Sequence, residues 1–313
     1  MANITAGMVK DLREMTGAGM MDCKKALVAT DGDMDKAVDF LREKGLAGAE
    51  KKAGRIAAEG IVTNAVSEDG KTAVTVEVNS ETDFVAKNEV FRSYCAEVAA
   101  QALTTKAADI DAFLAEPWAL DPAMTVQQKL SSMIATIGEN MHIRRFARLS
   151  VESGFIASYI HAGGKIGVLV KVESDVVNDE IREMGKNVAM QCAALKPQFC
   201  TNKEVPAEFI AKETEILKAQ IENDPKEAAK PEQVKLGMIK GRINKELKEI
   251  CLLDQVYVKA EDGKQPVSAY IQEVSKKNGA NAAVTAFLRF ETGEGLQKRE
   301  EDFAAEVAKQ MAK

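Results

Sequence analysis

Ile61-Val62-Thr63-Asn64-Ala65-Val66, then Glu68-Asp69-Gly70-Lys71, then Thr72-Ala73-Val74-Thr75-Val76-Glu77-Val78 is the stretch on which the fold turns. Two runs rich in β-branched residues flank an Asp-Gly pair, and Asp-Gly readily adopts the positive backbone angles of a tight hairpin turn. The spacing predicts two antiparallel strands. Val90, Phe91, Tyr94, Val98 and Ala102 then share one face of a helix. The same order returns downstream. Residues 155–160 and 165–172 flank Gly163-Gly164, and Ile181, Met184, Val188, Cys192 and Leu195 line the helix that follows. Strand, glycine turn, strand and helix recur about 90 residues apart, which predicts an α+β chain with two repeated antiparallel strand–helix subdomains.

Working outward, residues 1–55 read as a three-helix bundle. Thr5 can cap a helix bearing Val9 and Leu12, and Thr16-Gly17-Ala18-Gly19 breaks it. Met20, Cys23 and Leu27 fall at helical spacing in a second helix. Asp33 caps a third, with Ala37, Val38 and Leu41 inward and Gly45 as its end. Thr125-x-x-Gln128 is a capping-box pattern opening a helix with Leu130, Met133, Ile134 and Ile137, closed by Gly138. Residues 197–251 differ in character. Phe209, Ile210, Ile216, Leu217 and Ile221, then Leu236, Ile239, Ile243 and Ile250, make narrow coiled-coil-like seams on charged helices either side of Asp224-Pro225. That predicts an inserted antiparallel helical hairpin. Residues 283–290 read as a returning strand, and Phe303, Val307 and Met311 as one side of a C-terminal helix. The expected map is 1–55 for the bundle, 56–141 for the first core subdomain, 142–196 with 252–292 for the second, 197–251 for the hairpin and 293–313 for the C-terminal module.

Composition narrows the function. The formal net charge is −6, whereas a general nucleic-acid binder carries excess Lys and Arg, so no direct nucleic-acid partner is expected. No apolar run approaches the roughly 18 residues that span a bilayer, so no membrane association is expected. Met1-Ala2-Asn3-Ile4-Thr5 has no signal or transit pattern, and the expected localisation is cytoplasmic. The five cysteines are odd in number and have no C-x-x-C spacing, which favours buried, inert thiols over a zinc site or disulfide framework. No phosphate-binding loop or dinucleotide fingerprint occurs, and His142 and His161 have no metal-spaced companions. No catalytic residue, metal or cofactor is expected, and the chain is not read as an enzyme.

One segment does point to function: Ser80-Glu81-Thr82-Asp83-Phe84-Val85-Ala86-Lys87-Asn88. It joins a strand to a helix. Either Phe84 folds back onto the core with Thr82 or Asp83 capping the helix, or it stands out as an aromatic wedge beside a carboxylate. The residues alone leave both open.

Thr82-Asp83-Phe84-Val85-Ala86-Lys87 resembles the signature of the elongation factor Ts family. So do residues 12–27, Ile137-Gly138-Glu139-Asn140 with Ile143-Arg144-Arg145, Ser158-Tyr159-Ile160-His161 with 164–170, and Phe290-Glu291-Thr292-Gly293-Glu294-Gly295 with 302–307. The blocks keep the family's order along the chain. The resemblance implies a ubiquitin-associated-like fold for the N-terminal bundle. It also implies a guanine-nucleotide exchange factor in translation elongation, whose partner is elongation factor Tu in its GDP-bound and nucleotide-free states. By the same resemblance, Thr82, Asp83, Phe84 and Val85 dislocate Mg²⁺ from that GTPase. Arg13, Met20, Met21 and Lys24 dock the first domain, and His161 contacts the GTPase core. The hairpin serves self-association as a homodimer in some members and partner contact in others. A different class, an adaptor that binds through the first domain without remodelling its partner, fits that domain alone.

Overall fold

A computed structural model describes residues 4–297. Three helices come first: α1 (Ala6–Thr16), α2 (Met20–Ala29) and α3 (Met34–Glu50). Thr5 caps α1 by accepting from the Met8 amide, and Gly17 closes it in the left-handed region at φ 68°. Asp33 caps α3 through the Lys36 amide at 3.1 Å. Val9, Leu12, Cys23, Ala26, Leu27 and Ala37 form the small core between them. Met20, which helical spacing placed with Cys23 and Leu27, is 57% exposed. The inward face of α2 is Cys23, Ala26 and Leu27.

The hairpin of β1 (Glu59–Val66) and β2 (Thr72–Ser80) leads into a short α4 (Asp83–Lys87), then α5 (Glu89–Thr104) and α6 (Ile110–Ala115). A small ribbon, β3 (Pro117–Trp118) and β4 (Asp121–Thr125), precedes α7 (Val126–Ile137). Thr125 and Gln128 close the reciprocal capping box of α7. The third helix of the bundle runs on through Gly45 rather than ending there. Gly45 is buried against α7, where an added Cβ would lie 3.8 Å from Ala135 Cβ. Packing on α7 outweighs the weak helix propensity of glycine, about 1 kcal/mol against alanine.

β5 (Met141–Ser150) pairs antiparallel with β2, giving the order β1-β2-β5. Residues 142–150 therefore lie in the first sheet, not at the start of the second unit. β6 (Gly154–His161) and β7 (Ile166–Glu173) open the second sheet, and α8 (Asp179–Leu195) covers it. The chain then leaves through α9 (Ala207–Asn223), α10 (Pro225–Ala228) and α11 (Glu232–Ile250), and returns through α12 (Val267–Lys277) to β8 (Ala283–Glu291). β8 completes the order β6-β7-β8. At the base of the excursion, Gln198 and Phe199 amides donate to the Ile250 carbonyl, and the Leu252 amide donates to Phe199. Cys200 and Leu252 belong to the second core. The free hairpin is thus shorter than 197–251, confined to 206–249. Ile221 and Ile239 are its buried seam residues. The helix expected around Phe303, Val307 and Met311 lies outside the described residues.

The two sheets meet face to face. Val74, Val76 and Val78 of β2 point into the core under α5, while Ala73 packs with Ile156 and Leu169 of the other sheet. Nearly the whole of β2 is buried as a result, including Thr75, Glu77 and Asn79. Glu77 is the exceptional case. Its carboxylate accepts from Arg144 at 3.0 and 3.1 Å, Arg145 Nε at 2.6 Å, Asn79 at 3.1 Å and the Gly293 amide at 2.7 Å. Arg145 also lies 4.1 Å from the Phe290 ring centroid. One buried anion therefore ties β2 and β5 to the end of β8, since a buried charge is tolerated only when paired and hydrogen-bonded. All five cysteines are buried, and burial pushes the Cys200 thiol up to about 12 and Cys251 up to about 11. Thiols held that far from ionisation are poor nucleophiles. Among the described residues, no helix is long and apolar enough to cross a membrane.

Candidate partner-binding site

β2 ends at Ser80, whose hydroxyl donates to the Thr82 carbonyl at 3.1 Å. Thr82 is extended and caps α4, accepting from the Val85 amide at 3.3 Å. Asn88 ends α4 and caps α5, accepting from the Val90 amide at 2.8 Å. A short helix held between two caps has little freedom to rotate, and the sequence decides which residues face in. Ala86 is buried and Val85 packs partly against the first core. Phe84 is left outside, 81% exposed. Burying a Phe side chain is worth roughly 1.5–3 kcal/mol, and the fold forgoes that gain here. Val85, by contrast, already spends part of its apolar surface on the core.

Asp83 sits at the first helical position with its carboxylate 2.7 Å from Lys87 Nζ. That hydrogen bond holds the Asp83 carboxyl below the usual carboxylate range, with the positive fields of Lys87 and Lys165 in support and desolvation opposing. Lys87 Nζ lies 5.9 Å from the Phe84 ring centroid. The exposed tip is an ionised carboxylate, an ammonium and a bare aromatic ring on one and a half turns of helix.

The turn after His161 is linked to this tip through Lys165, whose positive charge acts on the Asp83 carboxyl. Glu59 of β1 pairs in register with Ser80, and its carboxylate binds Lys165 Nζ. Lys165 follows the turn 162–164, which follows His161. Gly164 makes that placement possible. Its φ is 109°, and an added Cβ would come within 2.8 Å of Ile61. His161 is exposed, and its Nδ1 is 2.9 Å from the Tyr159 hydroxyl. The structure therefore brings Asp83, Phe84 and the His161 turn to one end of the hairpin.

Arg13, Met20, Met21 and Lys24 are also exposed, on α1 and α2 of the bundle. Met21 is 62% exposed, and Met15 and Val28 add further apolar surface at 63% and 60%. Met20, at helical spacing with Cys23 and Leu27, and its neighbour Met21 both lie outside the core. Flexible thioethers on a surface suit contact with a partner. A cleft of about 490 Å³ separates the bundle from the first core unit, lined by Met15, Asp22, Lys44, Trp118 and Leu120 among others. It includes none of residues 80–88. Among the described residues, no group of three or more His, Cys, Asp or Glu side chains converges as a metal shell.

Several contributors carried no role in the sequence reading. Glu139 accepts from both the Glu81 and Thr82 amides, at 3.1 and 3.0 Å, and from the Thr82 hydroxyl at 2.7 Å. Glu81 accepts from the Asn140 amide at 2.6 Å. Lys165 was legible only as the first residue of the strand after Gly163-Gly164 and as part of the 164–170 block. No spacing rule links residue 139 to 82. The available signal was the Ile137-Gly138-Glu139-Asn140 block itself, where Gly138 ends a helix and an acid follows.

A family model described as elongation factor TS matches residues 81–294. The curated elongation factor Ts of Clostridioides difficile (strain 630) is 52% identical over 311 residues, covering 99% of this chain and all of the relative. The elongation factor Ts of Clostridium novyi (strain NT) is 50% identical over 308 residues, covering 98% of this chain and 99% of the relative. That of Clostridium perfringens (strain 13 / Type A) is 51% identical over 310 residues, with 99% and 100% covered.

Proposed function

The chain belongs to the elongation factor Ts family, and from that premise we propose that it is a guanine-nucleotide exchange factor for elongation factor Tu. It acts by binding and makes no covalent change, so it is not an enzyme in the bond-making sense. The observation that carries the reading is Phe84, an aromatic side chain left 81% exposed on a turn fixed at both ends.

The linkage is simple. A protein that binds the nucleotide-free GTPase more tightly than the GDP-bound form weakens GDP by the same factor. GDP and Mg²⁺ are held mainly by local electrostatics. The Phe84 ring enters where the Mg²⁺-holding side chains lie, and Asp83 brings a negative charge beside the cation and phosphates. Thr82 and Val85 hold the two in place. Burial of one ring is worth roughly 1.5–3 kcal/mol, or about tenfold to a hundredfold in relative affinity. Arg13, Met20, Met21 and Lys24 on the bundle supply docking affinity, and His161 contacts the GTPase core. In this reading the hairpin is a self-association or accessory partner surface, and the protein works in the cytoplasm without nucleic acid, membrane or cofactor.

Release of labelled GDP from elongation factor Tu tests the proposal. Wild type accelerates it, and Phe84→Ala slows that acceleration while leaving the protein's own melting temperature within about 1 °C, since an exposed ring contributes little to the core. A Phe84→Ala protein that melts several degrees lower would place the ring in the core and refute the wedge.

A further inference from the structure

The wedge is held by a carboxylate that is remote in sequence. We propose that Glu139 and Asn140 are positioning residues for exchange: their turn sets the Asp83-Phe84 tip and the linker from the docking bundle in one fixed relation. This rests on the wedge reading above and goes beyond it, because it assigns a role to two residues that touch the tip and the linker rather than to the tip itself.

The geometry is specific. Gly138 ends α7 in the left-handed region at φ 90°, and the chain turns at once so that Glu139 faces the start of α4. The three donors at the entrance to α4 are the Glu81 amide, the Thr82 amide and the Thr82 hydroxyl. All three go to the one carboxylate, at 3.1, 3.0 and 2.7 Å. Hydrogen bonds to an ionised acceptor are roughly twice as strong as neutral ones. The Thr82 hydroxyl, fixed as a donor to Glu139, then presents its lone pairs to the Val85 amide. Glu139 thereby orients the cap that orients the helix carrying Phe84.

The other half of the turn reaches the linker. Asn140, 1% exposed, donates through Nδ2 to the Arg55 carbonyl at 2.8 Å and approaches the Ala53 carbonyl at 3.4 Å. Its own amide returns to the Glu81 carboxylate at 2.6 Å, and Arg55 approaches the same carboxylate at 3.4 Å. Residues 53–55 directly follow the bundle. Docking domain, linker, turn and wedge therefore share one hydrogen-bonded junction. A partner gripped by the bundle meets Phe84 at a set angle only while this junction holds. Loss of orientation costs rate without costing contact, as for any group that must be presented in a narrow geometry.

The test uses the full chain. GDP release from the partner GTPase is measured against exchange-factor concentration for wild type, Glu139→Ala, Glu139→Gln and Phe84→Ala. Glu139→Ala should lower the plateau rate about tenfold or more while the half-saturating concentration stays within about twofold. Glu139→Gln keeps one carbonyl oxygen for the two amides and should fall between. Amide hydrogen exchange at Glu81 and Thr82 should quicken in Glu139→Ala, with the amides of β2 unchanged. A normal plateau for Glu139→Ala beside a slow Phe84→Ala overturns the positioning role and leaves the wedge standing. A raised half-saturating concentration at an unchanged plateau also overturns it, by assigning Glu139 to docking. If Phe84→Ala itself releases GDP as fast as wild type, the wedge reading fails and this inference falls with it. Should Glu139→Ala unfold, a wild-type plateau for Glu139→Gln together with unchanged Glu81 and Thr82 amide exchange overturns the proposal, and a reduced plateau supports it.

Discussion

Glu77→Gln replaces the buried anion at the sheet interface with a neutral side chain of almost the same shape. Five hydrogen bonds reach the native carboxylate: two from Arg144 and one each from Arg145, Asn79 and Gly293. Every partner is a donor, so an amide nitrogen at either position sets donor against donor. The charges matter too. Glu77 is completely buried, while Arg144 and Arg145 retain 25% and 31% side-chain accessibility. Breaking a buried ion pair on one side costs about 3–5 kcal/mol. The partial solvation of both guanidinium groups argues for the lower end, about 3 kcal/mol. At roughly 2–4 °C per kcal/mol for a chain of this order of size, the melting temperature should fall by about 6–12 °C. Urea unfolding followed by the fluorescence of Trp118, which is buried in the first core, gives the free energy directly. Amide exchange at 293–296 shows whether the loss is local to the clasp. A Glu77→Gln protein within about 0.5 kcal/mol of wild type would mean that water satisfies the arginines at no cost, and that this anion does not hold the two sheets together.

Three further outcomes follow from the geometry. Asp83→Asn should leave stability unchanged, because its partner Lys87 is an exposed i,i+4 neighbour. GDP release should slow, most at high Mg²⁺, and equal rates across a magnesium titration would remove the carboxylate from the mechanism. His142 is exposed at the residue level, and partial desolvation of its ring holds its pKa below its ordinary 6.5. The unfolded chain therefore takes up the proton first, and stability is complete above that pH and declines as pH falls toward the folded pKa. His142→Gln should flatten the stability profile between about pH 7 and 5; profiles that superimpose would exclude this histidine as the cause. Replacing 206–249 by a short Gly/Ser linker should leave a cooperatively folding protein, because residues 198–199 and 250–252 are already joined by backbone hydrogen bonds. A large fall in melting temperature would show that the hairpin supports the core.

The parts of this fold that announce themselves in sequence are those governed by local rules. The Asp69-Gly70 turn, the Thr125–Gln128 box and the caps at Thr5 and Asp33 each depend on residues within a few positions of one another. β5 is different. Met141-His142-Ile143-Arg144-Arg145-Phe146-Ala147-Arg148 has no clean alternation, because its arginines are satisfied at long range. Arg144 and Arg145 meet Glu77, and Arg148 donates to the Thr105 carbonyl at 2.6 Å. Met20 misled for the opposite reason, since three apolar residues at helical spacing do not say which of two adjacent faces a small core takes. The exposure of Phe84 depends on which way α4 is clocked, and Glu139 sets that from 57 residues away.

If Phe84 acts as the proposed wedge, any work it does on a partner returns as an equal and opposite force on the turn that carries it. That turn is the direct continuation of β2, the middle strand of its sheet. β2 is gripped by β1 over the register Glu59↔Ser80 to Val66↔Ala73, and by β5 over Thr72↔Ser150 to Ser80↔Met141. A push along the strand axis is met in shear, so the ladders on both sides must yield together rather than unzip one bond at a time. Under the proposed wedge role, the recoil would be shared by both ladders of this sheet, and the part left to yield would be the partner's nucleotide pocket.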